Sequence, residues 1–193
     1  MTRLTSAIVI FVVFLMAVPA GAENENDYFT ANQSPGTQVY LSTMEMAHGN
    51  KILPLIGKGR NDEAVTELKY CLDRFPNHPR YLMLVRTVER LVKKPLAIHY
   101  FEKATTLFPQ YALTHAQYGW YLVESGRTES GIGKLQQSID MDPKLTTAYV
   151  WLARAYARIG NQELAQKAAS QAAELGYSGP IPRESQETTT TGR

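Results

Sequence analysis

The chain has 193 residues, with 20 Lys and Arg against 18 Asp and Glu, a formal net charge of +2 at pH 7 and 44% apolar residues. So even a balance gives no general attraction to nucleic acid or to an anionic membrane surface. A single cysteine, Cys71, excludes an intrachain disulfide, so stability has to come from packing.

The first 22 residues, MTRLTSAIVIFVVFLMAVPAGA, join a cationic start at Arg3, an uncharged apolar run from Ala7 to Val18 and a small-residue ending at Ala20-Gly21-Ala22. That is the layout of a secretory signal peptide. As a helix the apolar run reaches about 18 Å at ~1.5 Å per residue, short of the ~30 Å hydrocarbon layer. Cleavage is predicted after Ala22, giving a periplasmic or secreted protein with no stable membrane insertion. Arg3 leaves with the leader, so the processed chain keeps 19 basic against 18 acidic residues. What remains has room for one domain of ordinary size.

Residues 23–44 read as a polar linker, and ENENDYFTANQSPGTQ, residues 23–38, as disordered. After it, residues 45–77 contain GRNDEAVTELKYCLDRFP, which sets Ala64, Leu68 and Cys71 at helical spacing ahead of Pro76. Asn61 or Asp62 is placed to cap this helix, with acidic residues in its first turn. The preceding helix is weaker, because Pro54 inside KILPLIGKG should kink or shorten it. Cys71 falls on the apolar stripe and is expected to be a small buried residue rather than a reactive thiol.

Residues 78–111 supply Tyr81, Leu84, Val85, Val88 and Leu91 at helical spacing, then AIHYFEKATTLFP. There Ala97, Phe101 and Ala104 share one stripe, two small residues around one ring, and Pro109 closes the segment. Such a stripe asks for a helix packed close against it. Residues 112–145 repeat the pattern with His115, Tyr118, Gly119, Leu122, Gly126, Gly131, Leu135, Ser138 and Pro143. Residues 146–177 do so with Tyr149, Leu152, Ala153, Tyr156, Gly160, Ala165, Ala169, Ala172 and Leu175. The last helix is rich in Ala, Gln and Lys and should cap the array, and residues 178–193 read as a disordered tail.

Pro109 and Pro143 are 34 residues apart, as are Gly126 and Gly160, and Ala97, Gly131 and Ala165 step by 34 each. The chain is an internal repeat. In period, small-residue pattern and closing proline, residues 45–177 resemble the tetratricopeptide repeat (TPR) family. The resemblance implies an all-α fold, a right-handed α-solenoid of helix-turn-helix repeats, each with an A and a B helix. The units are 78–111, 112–145 and 146–177, with a degenerate one at 45–77 that leaves three or four units open.

The same resemblance implies a concave groove lined by the A helices. Its candidate residues are Met83, Arg86 and Arg90 from one unit, Gln117, Trp120 and Glu124 from the next, and Trp151, Arg154 and Arg158 from the last. Further lining positions hold Leu82, Glu89, Leu113, Ala116, Val123, Thr147, Val150 and Ala157. Both tryptophans of the chain fall on this surface. Trp120, at its centre, is read as exposed; Trp151 fits either exposure or packing between neighbouring helices. Covering ~100 Å² of indole is worth roughly 2.5 kcal/mol, against ~0.2–1 kcal/mol for an exposed Arg–carboxylate pair. The expected ligand is a protein or peptide segment with an apolar side chain beside acidic groups. The family's clamp for the C-terminal carboxylate of cytosolic chaperones is not expected, because its positions hold Leu82, Thr147 and Trp151 beside Arg86 and Gln117.

His48, His78, His99 and His115 have no metal-ligand spacing, no glycine-rich phosphate loop occurs, and no serine or cysteine has a nucleophile's local frame. No catalytic residue, metal or cofactor is expected. The sequence thus points to a non-enzymatic interaction module, an adaptor or scaffold in bacterial envelope assembly or secretion. The alternative is a self-associating structural component of an envelope complex, a homo-oligomer.

Overall fold

Helices follow one another without a strand among the described residues, which in this computed structural model are 25–180. The predicted leader, 1–22, and all but the start of the tail lie outside them. α1 (Pro35–Met44) runs through a π-helical turn, Glu45–Gly49, into α2 (Asn50–Gly57). Then come α3 (Asn61–Arg74), α4 (Pro79–Val92), α5 (Ala97–Leu107), α6 (Ala112–Glu124), α7 (Thr128–Met141), α8 (Thr146–Arg158) and α9 (Gln162–Glu174). They pair as four hairpins, α2–α3, α4–α5, α6–α7 and α8–α9. Each hairpin's second helix also packs on the first helix of the next, and α4, α6 and α8 lie side by side.

Backbone conformation explains the turns. Gly59, Gly126 and Gly160 have φ of 72°, 82° and 75°, the left-handed region that glycine enters at no steric cost. In α4–α5, where Val92 stands 34 residues before Gly126 in place of a turn glycine, the next residue, Lys93, takes that conformation instead, at φ 53°. The small residues set the closest crossing. A Cβ on Gly119 would lie 2.8 Å from the Gly131 carbonyl oxygen, and one on Gly131 would lie 2.6 Å from that of Gly119. Here backbone rests on backbone. The stripe on α5 finds its neighbour as expected: Ala97, Phe101 and Ala104 are buried, and Phe101 stacks on Tyr118 and Tyr121 of α6 at 5.5 and 5.1 Å.

Four expectations need correction. Pro54 does not shorten its helix, which runs on from Pro35 through the π turn to Gly57, because it sits near the helix end and the carbonyl it leaves free belongs to Asn50, an exposed residue that water reaches. Neither Asn61 nor Asp62 caps α3; Arg60 is the N-cap residue and gives no side-chain bond. Leu91, expected in the core, is 45% exposed in the last turn of α4. The fourth correction is the largest: the segment read as disordered linker is ordered from residue 25.

Its anchor is Asp27. One carboxylate oxygen accepts from the Phe29 amide at 3.0 Å, capping a 3₁₀ turn (Tyr28–Gln33), and from the side-chain amide of Asn77 at 2.7 Å. The other oxygen accepts from the Tyr111 hydroxyl. Asn77 in turn accepts from the Tyr28 amide at 2.9 Å, Phe29 stacks on Tyr111 at 4.2 Å, and Lys103 pairs with Glu25 at 2.5 Å. The segment is a strap that bridges the loops closing the first and second hairpins. Ser34, whose hydroxyl accepts from the Thr37 amide, then caps α1, with Pro35 at its first position.

Two apolar clusters form the interior. The N-terminal one is rich in large side chains, including Phe75, Tyr81, Tyr100 and Phe101, and the C-terminal one in small ones, Ala116, Ala148, Ala153, Ala155, Ala165 and Ala168. α6 divides them: Tyr118, Tyr121 and Leu122 face the first, Ala116 and Val123 the second.

Candidate functional site

Because α4, α6 and α8 repeat at 34 residues and lie side by side, equivalent residues form rows across them. One row is Met83, Gln117 and Trp151, the next Arg86, Trp120 and Arg154, the third Arg90, Glu124 and Arg158. The two indoles meet between rows, stacked with centroids 6.0 Å apart and planes 10° from parallel. Both are partly exposed and pack against the edge of the C-terminal cluster. Exposure and core packing therefore each hold in part: both indoles are seated on the core margin and keep an open side.

Cations surround this aromatic shelf. Arg86 forms an ion pair with Glu124 across α4 and α6, and burial together with the neighbouring Arg90 draws its guanidinium below its usual pKa. Nη1 of Arg158 donates to the Val123 carbonyl at 2.7 Å, fixing the end of α6. Arg154 shares one feature with Arg86: the Nε of each is buried and has no hydrogen-bond acceptor among the described residues. A buried donor left without an acceptor costs ~1–3 kcal/mol. Arg90 is exposed.

Other candidates leave the surface. Gln117 is only 5% exposed, and its amide donates to the Pro79 carbonyl at 3.0 Å, tying α6 to the start of α4. Leu82, Ala116, Val123 and Val150 are buried in the interior. Glu89 has a structural task that spacing alone did not reveal: one carboxylate oxygen accepts from the Leu96 and Ala97 amides, both at 2.7 Å, and the other from the Tyr121 hydroxyl at 3.2 Å. It caps α5, whose own N-cap residue, Leu96, has no side chain to do so. The signal for it was the missing Ser, Thr, Asp or Asn at that position.

The histidines are dispersed. His115 is buried and its Nε2 donates to the Pro109 carbonyl at 2.9 Å. His78 is buried between the rings of Tyr28 and Tyr81 and pairs with Glu45 at 3.0 Å. His48 pairs with Glu67 at 2.6 Å and stacks on Tyr70, and His99 is exposed. Among the described residues, no three His, Cys, Asp or Glu side chains converge as metal ligands. Cys71 is fully buried, and burial pushes its thiol up to about 12. A concavity of about 270 Å³, not singled out in the sequence, lies between α7 and α9 over Tyr149, Leu152 and Tyr156 of α8.

Residues 146–175, the α8–α9 hairpin, match the tetratricopeptide repeat model. Among solved structures the chain is similar to YrrB, described as a TPR protein with an unusual peptide-binding site, at 18% identity and a TM-score of 0.51, covering 77% of this chain and 80% of that one. A thermophilic TPR protein of Thermus thermophilus is similar at 19% identity and TM-score 0.51, over 68% and 74% of the two chains. PilF of Pseudomonas aeruginosa aligns at 18% identity and TM-score 0.54, over 70% of this chain and 63% of its own. The fold is an all-α, TPR-like solenoid. No curated protein is similar enough to match. In a solenoid of this kind the side formed by α4, α6 and α8 is the inner one, where the tryptophan pair and the arginines sit.

Proposed function

We propose that the chain is a non-enzymatic adaptor that holds a segment of another protein against its inner face, working outside the cytoplasm in a bacterial envelope assembly or secretion system. The observation that carries the reading is the stacked Trp120–Trp151 pair, partly open, beside an Arg154 whose buried Nε has no acceptor. The indoles offer a flat apolar platform, and the guanidinium offers a planar donor fork for a carboxylate. A segment with an apolar side chain next to an acidic one satisfies both. Aromatic burial sets the affinity and Arg154 the orientation. The extracytoplasmic setting is supported by the leader-like residues 1–22.

Because both tryptophans of the chain lie on this shelf, tryptophan emission excited beyond the tyrosine absorption band reports on that surface. Peptides pairing an aromatic or aliphatic residue with Asp or Glu should shift the emission on titration, and their amide counterparts should bind about two- to fivefold more weakly, the loss of an Arg–carboxylate pair worth up to ~1 kcal/mol. Trp120→Ala should weaken binding at least tenfold with little change in melting temperature. If Trp120→Ala unfolds the domain, or if acidic and amide peptides bind alike, the reading fails.

A further inference from the structure

The helix at the N-terminal end of the array is not finished as an end. From Pro35 to Gly57 it continues for 23 residues through α1, the π turn and α2, about 34 Å at ~1.5 Å per residue. Its inward side is Met44, Gly49 and Ile52, all buried, with Leu41, Leu55 and Ile56 packed on the first cluster. Its outward side exposes Val39 by 66%, Met46 by 68% and Leu53 by 48%, with Tyr40 at the margin, 38% exposed and its ring against the buried Phe75. Large apolar side chains this exposed number seven among the described residues, and the other three, Leu91, Met141 and Ile159, sit at separate helix ends. Terminal repeats ordinarily show water a polar face, and α9 does so with Gln162, Glu163, Gln166 and Lys167.

We infer that this N-terminal face pairs with the same face of a second copy of the chain about a two-fold axis. Charge selects the occupant. The helix carries only Glu45, His48 and Lys51 as charged or basic residues, and its own chain engages all three: His78 takes Glu45, and Glu67 takes both His48 and Lys51. Two such faces meet without like-charge repulsion, and the middle of an interface is where charged residues are depleted. A charged partner finds no free counter-charge there. A membrane surface is recruited by several free Lys and Arg flanking the apolar residues; here Lys51 is held by Glu67 and Arg60 by Glu63, which leaves Lys58, just past the helix end, and a single cation contributes only ~1 kcal/mol. Head-to-tail stacking would set the apolar residues on the polar side of α9.

Like-on-like pairing matches apolar to apolar. Val39, Met46 and Leu53 recur every seven residues, so an antiparallel pair sets Met46 on its counterpart and Val39 opposite Leu53. Half the surface of a ~11 Å cylinder this long is roughly 600 Å², so two copies bury at most about 1,200 Å², the low end for a specific interface. The dimer is therefore reversible. This inference is independent of the inner face, and Trp120→Ala leaves the dimer unchanged.

Sedimentation velocity on the protein as recovered from the cell should show its mass rise from one chain to two with concentration. Met46→Lys with Leu53→Lys should raise the dimer dissociation constant at least tenfold while the helical melting curve keeps its midpoint. Met46→Cys should give a disulfide-linked dimer on oxidation, and Gln166→Cys on α9 should not. A single-chain mass at every concentration, a dimer that survives the paired lysines, or faster crosslinking through residue 166 overturns the inference. So does a monomer whose lysine variant loses a co-purifying protein, since that assigns the face to a different partner.

Discussion

In α6–α7 the backbones of Gly119 and Gly131 touch, whereas the equivalent places in α4–α5 hold Val85 and Ala97, and those two helices meet along less of their length. The second hairpin makes up the difference in other ways. Rings from α6 fill the space beside Phe101, and Glu89 reaches over to cap α5. The contrast extends to the two halves of the molecule: the N-terminal half is held by large rings and buried polar groups, the C-terminal half by small residues and close helices. One repeat pattern thus tolerates two packing solutions. Where the crossing residues are small, geometry alone sets the hairpin; where they are larger, specific side-chain contacts must.

That comparison breaks most severely at the glycine crossing. Gly131→Ala places a methyl 2.6 Å from the Gly119 carbonyl oxygen and 2.9 Å from the Val123 amide nitrogen. Neither neighbour is a flexible side-chain end, so the cost should reach about 3 kcal/mol, the upper part of the overpacking range. Urea unfolding measures it. A smaller loss is expected in the N-terminal half from Asp27→Ala, which removes the acceptor shared by the Phe29 amide, Asn77 and Tyr111. About 2 kcal/mol is expected, together with faster hydrogen exchange confined to residues 25–34, since hydrogen bonds to a charged group contribute ~1.5–3 kcal/mol. The reverse exchange at the looser crossing, Ala97→Gly, should cost only ~1 kcal/mol, mostly as helix propensity; a loss equal to that of Gly131→Ala would erase the distinction between the hairpins.

The smallest effect concerns pH. Burial lowers the pKa of both His78 and His115 from the usual 6.5. The unfolded chain therefore binds protons that the folded one does not, so the contribution of these residues is fully present above about pH 6.5 and is lost as pH falls below it. Melting temperatures between pH 7.5 and 5.5 should decline, and less steeply in His115→Gln. A parallel slope in the variant would remove His115 from this account.

The repeat itself was legible because its signals are local and periodic. Gly126 and Gly160 mark turns through their backbone freedom, Pro109 and Pro143 mark helix ends, and the 34-residue spacing does not depend on what the helices touch. The strap was missed because composition registers polarity and not satisfaction. ENENDYFTANQSPGTQ is as polar as a disordered segment, yet Asp27 and Glu25 have their partners 50 and more residues away. Ser34-Pro35, a cap followed by a first-position proline, was the available hint of a helix. On the inner face, the rows were readable from the period, and the stacking of Trp120 on Trp151 follows from their places in adjacent rows. What spacing did not separate was Gln117 and Glu89, whose carbonyl and amide partners appear only when α4, α5 and α6 are brought together.

Binding on the inner face requires that this face be open and carry both indoles. Acrylamide quenching of the native chain's tryptophan emission tests it most directly. Quenching should be intermediate between that of a buried indole and that of the urea-unfolded chain, and should fall when an acidic, apolar peptide binds. Emission that acrylamide leaves untouched until urea is added would contradict it, for the pair would then be core and the face would have nothing to offer a partner.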